Sequence, residues 1–190
     1  MSGTPEHRNE IWVARHGATE WADDGRHTGR TDIPLTPEGR KEAAALVRPL
    51  DAHRFALVLT SPLVRARDTA RIAGFADAVV DPDLLEWDYG EYEGRTTAEI
   101  QADRAGWNLW RDGVPGGEPI EDVGTRVRRV IERVDAAAGD ALLFAHGHVL
   151  RILTAVALEL GPRAGARFEL RTARLGVIGW EHEYRSLSAW

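Results

Sequence analysis

Short apolar runs that stop at a polar residue and a glycine mark two places in the chain. Ile11-Trp12-Val13-Ala14 empties into Arg15-His16-Gly17, and Ala141-Leu142-Leu143-Phe144-Ala145 into His146-Gly147-His148. Runs of this length predict strands buried on both faces, each ending in a loop. Residues 56–59 and 78–80 predict two further strands. Between them the pattern becomes helical. Thr36-Pro37-Glu38 sets a hydroxyl cap before a first-turn proline, and Ala43, Leu46, Val47 and Leu50 supply an apolar stripe. Ser61-Pro62 predicts a second helix start by the same logic. There Leu63, Ala66, Ala70 and Ala73 share one face, and Arg65 and Thr69 share another. Ile120, Val123, Val127, Ile131 and Val134 predict an amphipathic helix over 119–138. Residues 148–160, apolar almost all round, predict a buried one. A loose alternation after Arg167, through Val177 to Trp180, predicts one or two late strands.

The order βαβαβ…αβα predicts an α/β fold, a doubly wound and mostly parallel sheet with helices on both faces. Residues 81–117, rich in Gly, Pro and aromatic residues, read as an insertion with a short helix near 97–104. The 190 residues are expected to form a single catalytic domain, with 1–9 a flexible tail. The late strands offer an edge for a homodimer.

Composition narrows the chemistry. The absence of cysteine excludes disulfides, thiolate metal sites and a cysteine nucleophile. No apolar stretch approaches the roughly 20 residues of a membrane span. The polar start lacks the centre of a signal peptide, so a cytoplasmic protein with no membrane partner is expected. A net charge of -6 argues against nucleic acid as a partner. Arginine is used heavily and lysine once, at Lys41. A planar fork suits phosphate, although coding bias explains most of these arginines equally well.

Ligands of open α/β sheets bind just beyond the carboxyl ends of the strands. His16 and His146 are therefore expected at one sheet edge, with Arg15, residues 61–65 and residues 85–90 nearby. Alone, each has a plain explanation as a core or surface residue. Together they suit phosphoryl transfer. Arginines and helix N-termini hold the anion, and a neutral imidazole attacks phosphorus. A second histidine steadies charge on the phosphoryl oxygens, and Glu86 gives the leaving alcohol its proton.

These blocks, in this order, resemble the histidine phosphatase superfamily, whose branches include cofactor-dependent phosphoglycerate mutases and many phosphatases. The matching stretches are Arg15-His16-Gly17-Ala18-Thr19-Glu20-Trp21, residues 27–36, Ser61-Pro62-Leu63-Val64-Arg65-Ala66 with Thr69-Ala70, Glu86-Trp87-Asp88-Tyr89-Gly90 and His146-Gly147-His148. The resemblance implies a three-layer αβα sandwich of the phosphoglycerate mutase-like type. It implies His16 as the phosphate-accepting nucleophile, with Arg15, Arg65 and His146 completing the phosphate pocket. Glu86 becomes the proton donor and later the base for water. Thr28 and Gly29 fall in a substrate-contacting loop, Tyr89 in the cleft wall, and Gly147 where a backbone N–H meets substrate. His148 is either a helix cap or a further substrate contact.

Ala22, Trp87 and His148 depart from the mutase branch, which carries Asn, Arg and Asn there, and the long mutase insertion is missing. A more open site admits water, so hydrolysis is expected. The block over 86–94 is similar to that of mutase-like acid phosphatases and of sedoheptulose-1,7-bisphosphatase-type enzymes. The expectation is a metal-independent phosphomonoesterase without cofactor, acting on a small phosphorylated metabolite such as a sugar phosphate. Phosphoglycerate mutase activity and a non-catalytic phosphate-binding module are the alternatives. A metal site on His146, His148 and His16 is disfavoured because no carboxylate stands at ligand spacing. Trp87, Trp107 and Trp110 either wall the leaving group or pack the insertion onto the sheet.

Overall fold

A computed structural model describes residues 8–190. Its strands are β1 (Ile11–Arg15), β2 (Leu57–Thr60), β3 (Val79–Val80), β4 (Ala141–Ala145), β5 (Leu175–Glu181) and β6 (Tyr184–Ala189), joined in one sheet in the order β3-β2-β4-β1-β5-β6. The first four lie parallel, and β5 and β6 run antiparallel, so the sheet is mixed. The helices are α1 (Glu20–Asp23), α2 (Pro37–Ala45), α3 (Val47–Leu50), α4 (Val64–Ile72), α5 (Thr97–Asp103), α6 (Leu109–Asp112), α7 (Ile120–Asp135) and α8 (Gly147–Ala157).

Strand alternation sorts the core into two layers. Ile11, Val13, Ala141, Leu143 and Ala145 face the apolar sides of α7 and α8. Ala14, Leu142 and Phe144 face Leu46, Leu50, Ala70 and Ala73 on the other side. Helices thus cover both faces of the sheet, as expected for an α/β fold. Register sets which residues leave the sheet together. Ile11 pairs with Ala141 and Arg15 with Ala145, so His16 and His146 leave adjacent strands side by side.

Several local expectations change. The stripe over 36–50 is divided: α2 ends at Ala45, because Pro49 has no N–H and its ring would strike the carbonyl four residues back. Val47 is consequently exposed. The helix expected from Ser61-Pro62 begins at Val64, with Leu63 in the cap position and no side-chain cap. The Ser61 hydroxyl takes the Leu63 N–H only at 3.4 Å and meets the His146 ring at 2.7 Å. The strand at 78–80 keeps two residues, both exposed on the sheet edge. Helix α8 stops at Ala157, ahead of Glu159 in a left-handed conformation (φ 61°), and leaves Leu160 exposed.

Of the tail expected over 1–9, residues 1–7 lie outside the described residues. Asn9 is tied down: its amide donates to Val134 O and Ala137 O at the end of α7, both at 2.7 Å. In the insertion, Thr96 and Glu99 form a reciprocal cap that opens α5.

Candidate active site

His16 is the first residue past β1 and is almost fully buried. Its Nδ1 lies 2.7 Å from Gly17 O. A carbonyl only accepts, so Nδ1 holds the ring hydrogen and Nε2 keeps its lone pair. Burial, with Arg65 and then Arg15 beside the ring, pushes this imidazole well below its ordinary value of 6.5. The His16 imidazole is therefore neutral.

Arg65, on α4, is fully buried and held from four directions. Its Nε–H donates to His146 Nδ1 (3.0 Å), Nη1 to Thr31 O (2.9 Å), and Nη2 to Thr28 O and Gly29 O (3.0 Å each). The loop turns its carbonyls inward to Arg65. It turns the N–H groups of Gly29 and Thr31 outward to the Glu93 carboxylate (2.9 and 3.1 Å). A side chain at Gly29 would lie 2.6 Å from Trp87 O.

His146, in the cap position of α8, is also fully buried. Because its Nδ1 accepts from Arg65, its hydrogen sits on Nε2 and goes to Ser61 Oγ at 2.7 Å. Burial, followed by Arg65, His16 and Arg15, keeps this ring neutral too. The centroids of the two rings are 5.2 Å apart. Arg15 donates from Nη1 to Leu170 O (2.7 Å), while its buried Nε has no partner among the described residues. An unpaired buried N–H beside a cavity is a standing donor for an anion. Gly147 allows that placement, since a Cβ there would lie 3.3 Å from the Arg15 guanidinium carbon.

Glu86 meets the start of α8. Its carboxylate accepts from the backbone N–H of Trp87 (2.9 Å), His148 (3.0 Å) and Val149 (2.8 Å). Arg126, buried on α7, clamps the loop behind it. Nη1 donates to Asp83 O (2.7 Å) and Leu85 O (2.6 Å), and Nη2 to Glu86 O (3.2 Å), while Glu118 balances its charge.

A cavity of about 260 Å³ joins these groups at the sheet edge. Arg15, His16, Thr28, Glu86, Tyr89, Gly147 and His148, all expected from the sequence, line it. Arg65, His146 and Gly29 do not. They stand in the layer behind, because Arg65 and His146 spend their hydrogen bonds on each other and on the loop. Ala22, Gly25, Arg26, His27, Thr97 and Arg151 complete the wall. His27 stacks on Tyr89 at 5.0 Å, and burial lowers its pKa to about 4. None of the three tryptophans of the insertion reaches the cavity. Trp87 and Trp107 are core residues whose indole N–H groups donate to Glu118 O (2.7 Å) and Gly113 O (3.0 Å). The packing reading of the insertion therefore replaces the wall.

The sequence alone does not point to Ser61 as a hydrogen-bond partner, nor to Glu93, Arg126, His27 or Arg151. Arg151 is within its reach, standing one helical turn after His148 on α8. Arg126 is not, because the backbone carbonyls it clamps lie some forty residues away.

Known proteins resemble this chain in sequence and in fold. The profile of the Histidine phosphatase superfamily (branch 1) matches residues 11–190. An acid phosphatase of Mycobacterium tuberculosis is 36% identical over 190 residues, covering 98% of this chain and 93% of its own. Sedoheptulose 1,7-bisphosphatase of Saccharomyces cerevisiae is 37% identical over 182 residues, covering 78% of this chain and 67% of its own. The solved structure of a mycobacterial glucosyl-3-phosphoglycerate phosphatase complexed with VO3 superimposes with a TM-score of 0.86 at 29% identity, over 96% of this chain and 98% of that one. With a profile match that runs from β1 to the last residue, the chain belongs to the histidine phosphatase superfamily.

Proposed function

We propose that the chain is a phosphomonoesterase that hydrolyses small phosphorylated metabolites, sugar phosphates foremost, through a phosphohistidine on His16. The observation that carries this reading is the bond from His16 Nδ1 to Gly17 O, which leaves a neutral Nε2 as nucleophile in the cavity. Nε2 attacks phosphorus as the ester oxygen leaves with a proton from Glu86. Arg15 and Arg65 supply positive charge for the phosphoryl oxygens. His146 acts by holding Arg65. Glu86 then takes a proton from water as water attacks the phosphohistidine and releases phosphate. Thr28, Tyr89, Gly147 and His148 line the side where the organic group would lie, and Gly29 shapes the loop beneath it.

The buried Trp87 supports hydrolysis over mutase chemistry. Where the mutase branch places an arginine, this chain has a core indole, so that position brings no cation to the cavity, whose arginines Arg15, Arg26 and Arg151 stand elsewhere in its wall. In this reading the chain acts as one catalytic domain, with 81–117 beside the site, and needs neither metal nor cofactor. It works in the cytoplasm without nucleic acid, and the edge strand β6 is where a homodimer would pair. Among the described residues, no helix is long and apolar enough to cross a membrane.

His16→Ala should abolish phosphate release from an aryl phosphate assayed with EDTA present. Undiminished turnover in that variant would remove the phosphohistidine and this reading with it.

A further inference from the structure

The Tyr89 phenol and the His148 imidazole meet in the cavity wall. Tyr89 is buried, and its hydroxyl lies 2.6 Å from His148 Nδ1, its single hydrogen-bond partner among the described residues. A buried hydroxyl hydrogen left unpaired costs about 1–3 kcal/mol. The O–H therefore donates and Nδ1 accepts. Burial also pushes the Tyr89 hydroxyl well above its ordinary value of 10, which keeps that hydrogen in place. In a neutral imidazole, one nitrogen donates when the other accepts. His148 thus carries its hydrogen on Nε2. Burial, with Arg151, His27 and Arg15 nearby, keeps the ring neutral. With Nδ1 engaged, the Nε2–H is what His148 offers the cavity.

The alternative tautomer would disturb Glu86. His148 Nδ1 is 3.9 Å from Glu86 Oε2, the oxygen that already accepts the His148 backbone N–H at 3.0 Å. A hydrogen on Nδ1 would compete for that carboxyl oxygen. The Tyr89 hydroxyl occupies that position first.

We propose that Tyr89 is a positioning residue that fixes His148 with Nδ1 as acceptor, so that His148 Nε2–H donates to a hydroxyl oxygen of the leaving group. A sugar phosphate gains this hydrogen bond, and a simple aryl phosphate does not. The substrate half of the inference rests on the phosphatase reading; the tautomer half stands without it.

Nitrogen-15 NMR of the histidine-labelled protein reads the tautomer, and kcat/KM for a hexose phosphate against an aryl phosphate reads its use. His148→Gln assigns the resonance. In the wild type, His148 should be protonated at Nε2 alone. Tyr89→Phe should move hydrogen to Nδ1 and lower the hexose-to-aryl ratio of kcat/KM by about tenfold, the worth of one hydrogen bond. In the His148→Gln background, Tyr89→Phe should leave that ratio unmoved, because its effect passes through the ring. A wild-type hydrogen on Nδ1, an unchanged tautomer in Tyr89→Phe, or an equal fall in the ratio without His148 would overturn the proposal. If the wild type hydrolyses neither ester, the phosphatase reading fails while the spectrum still decides the tautomer.

Discussion

The tautomer of each of the two buried histidines is set at one ring nitrogen by a partner that can play only one part. Gly17 O can only accept, which sets His16; the Arg65 Nε–H can only donate, which sets His146. Ser61 closes this chain by accepting the His146 Nε2–H. Ser61→Ala would leave that N–H buried without a partner, a loss of about 1–3 kcal/mol. The fall should appear in the urea midpoint with an unchanged slope. It should be joined by a lower kcat, because His146 is then free to turn away from Arg65 and loosen the guanidinium beside His16. An unchanged kcat would mean that Arg65 is held well enough by the carbonyls of Thr28, Gly29 and Thr31.

Whole elements meet the site at a few close backbone approaches. Helix α2 enters against the loop after β1. A Cβ on Gly39 would lie 2.0 Å from Ala18 O, and one on Gly17 would lie 2.2 Å from Gly39 O. These atoms are backbone and cannot swing aside. Gly39→Ala should therefore cost about 1–3 kcal/mol as an overpacked contact, read as a lower melting temperature. It should also reduce phosphatase activity, since displacing α2 displaces Gly17 and the His16 tautomer bond. Wild-type stability in this variant would show that the loop yields freely. At this scale, much is legible in the sequence. The runs before His16 and His146 end where parallel strands end, and the Thr36 cap bonds Gly39 N as its spacing implies (3.0 Å). What is not legible depends on a partner distant in the chain. Ser61-Pro62 has the local form of a helix start, yet the hydroxyl goes to His146 because β4 brings that ring beside it. Pro49 is the exception, a purely local signal: it sits within a continuous apolar stripe, and its missing N–H divides the helix all the same.

Across the molecule, the features that keep His16 neutral also make the fold acid-sensitive. His16, His27, His146 and His148 all lie below the ordinary 6.5, with burial the largest cause in each. In the unfolded chain they return to about 6.5. As pH falls below that value, the unfolded chain takes up protons that the folded chain refuses. The stability these groups contribute is thus complete above about pH 6.5 and is lost as pH falls toward their folded values. For His27, with a folded pKa of about 4, the loss reaches about 3 kcal/mol at pH 4. That is a large share of the roughly 5–15 kcal/mol that holds a typical domain together. Stability measured by urea should therefore decline between pH 6.5 and 5 with a slope of more than one proton. His27→Phe, which keeps a ring to stack on Tyr89, should reduce that slope by about one proton, or about 1.4 kcal/mol per pH unit. A flat profile from pH 7 to 5, or an unaltered slope in His27→Phe, would contradict the assignment of these rings as neutral in the folded chain. The consequence for catalysis is specific. With His16 protonating only well below 6.5, activity lost in mild acid should track the unfolding curve rather than a titration of His16, and it should return when the protein is brought back to neutral pH and refolds.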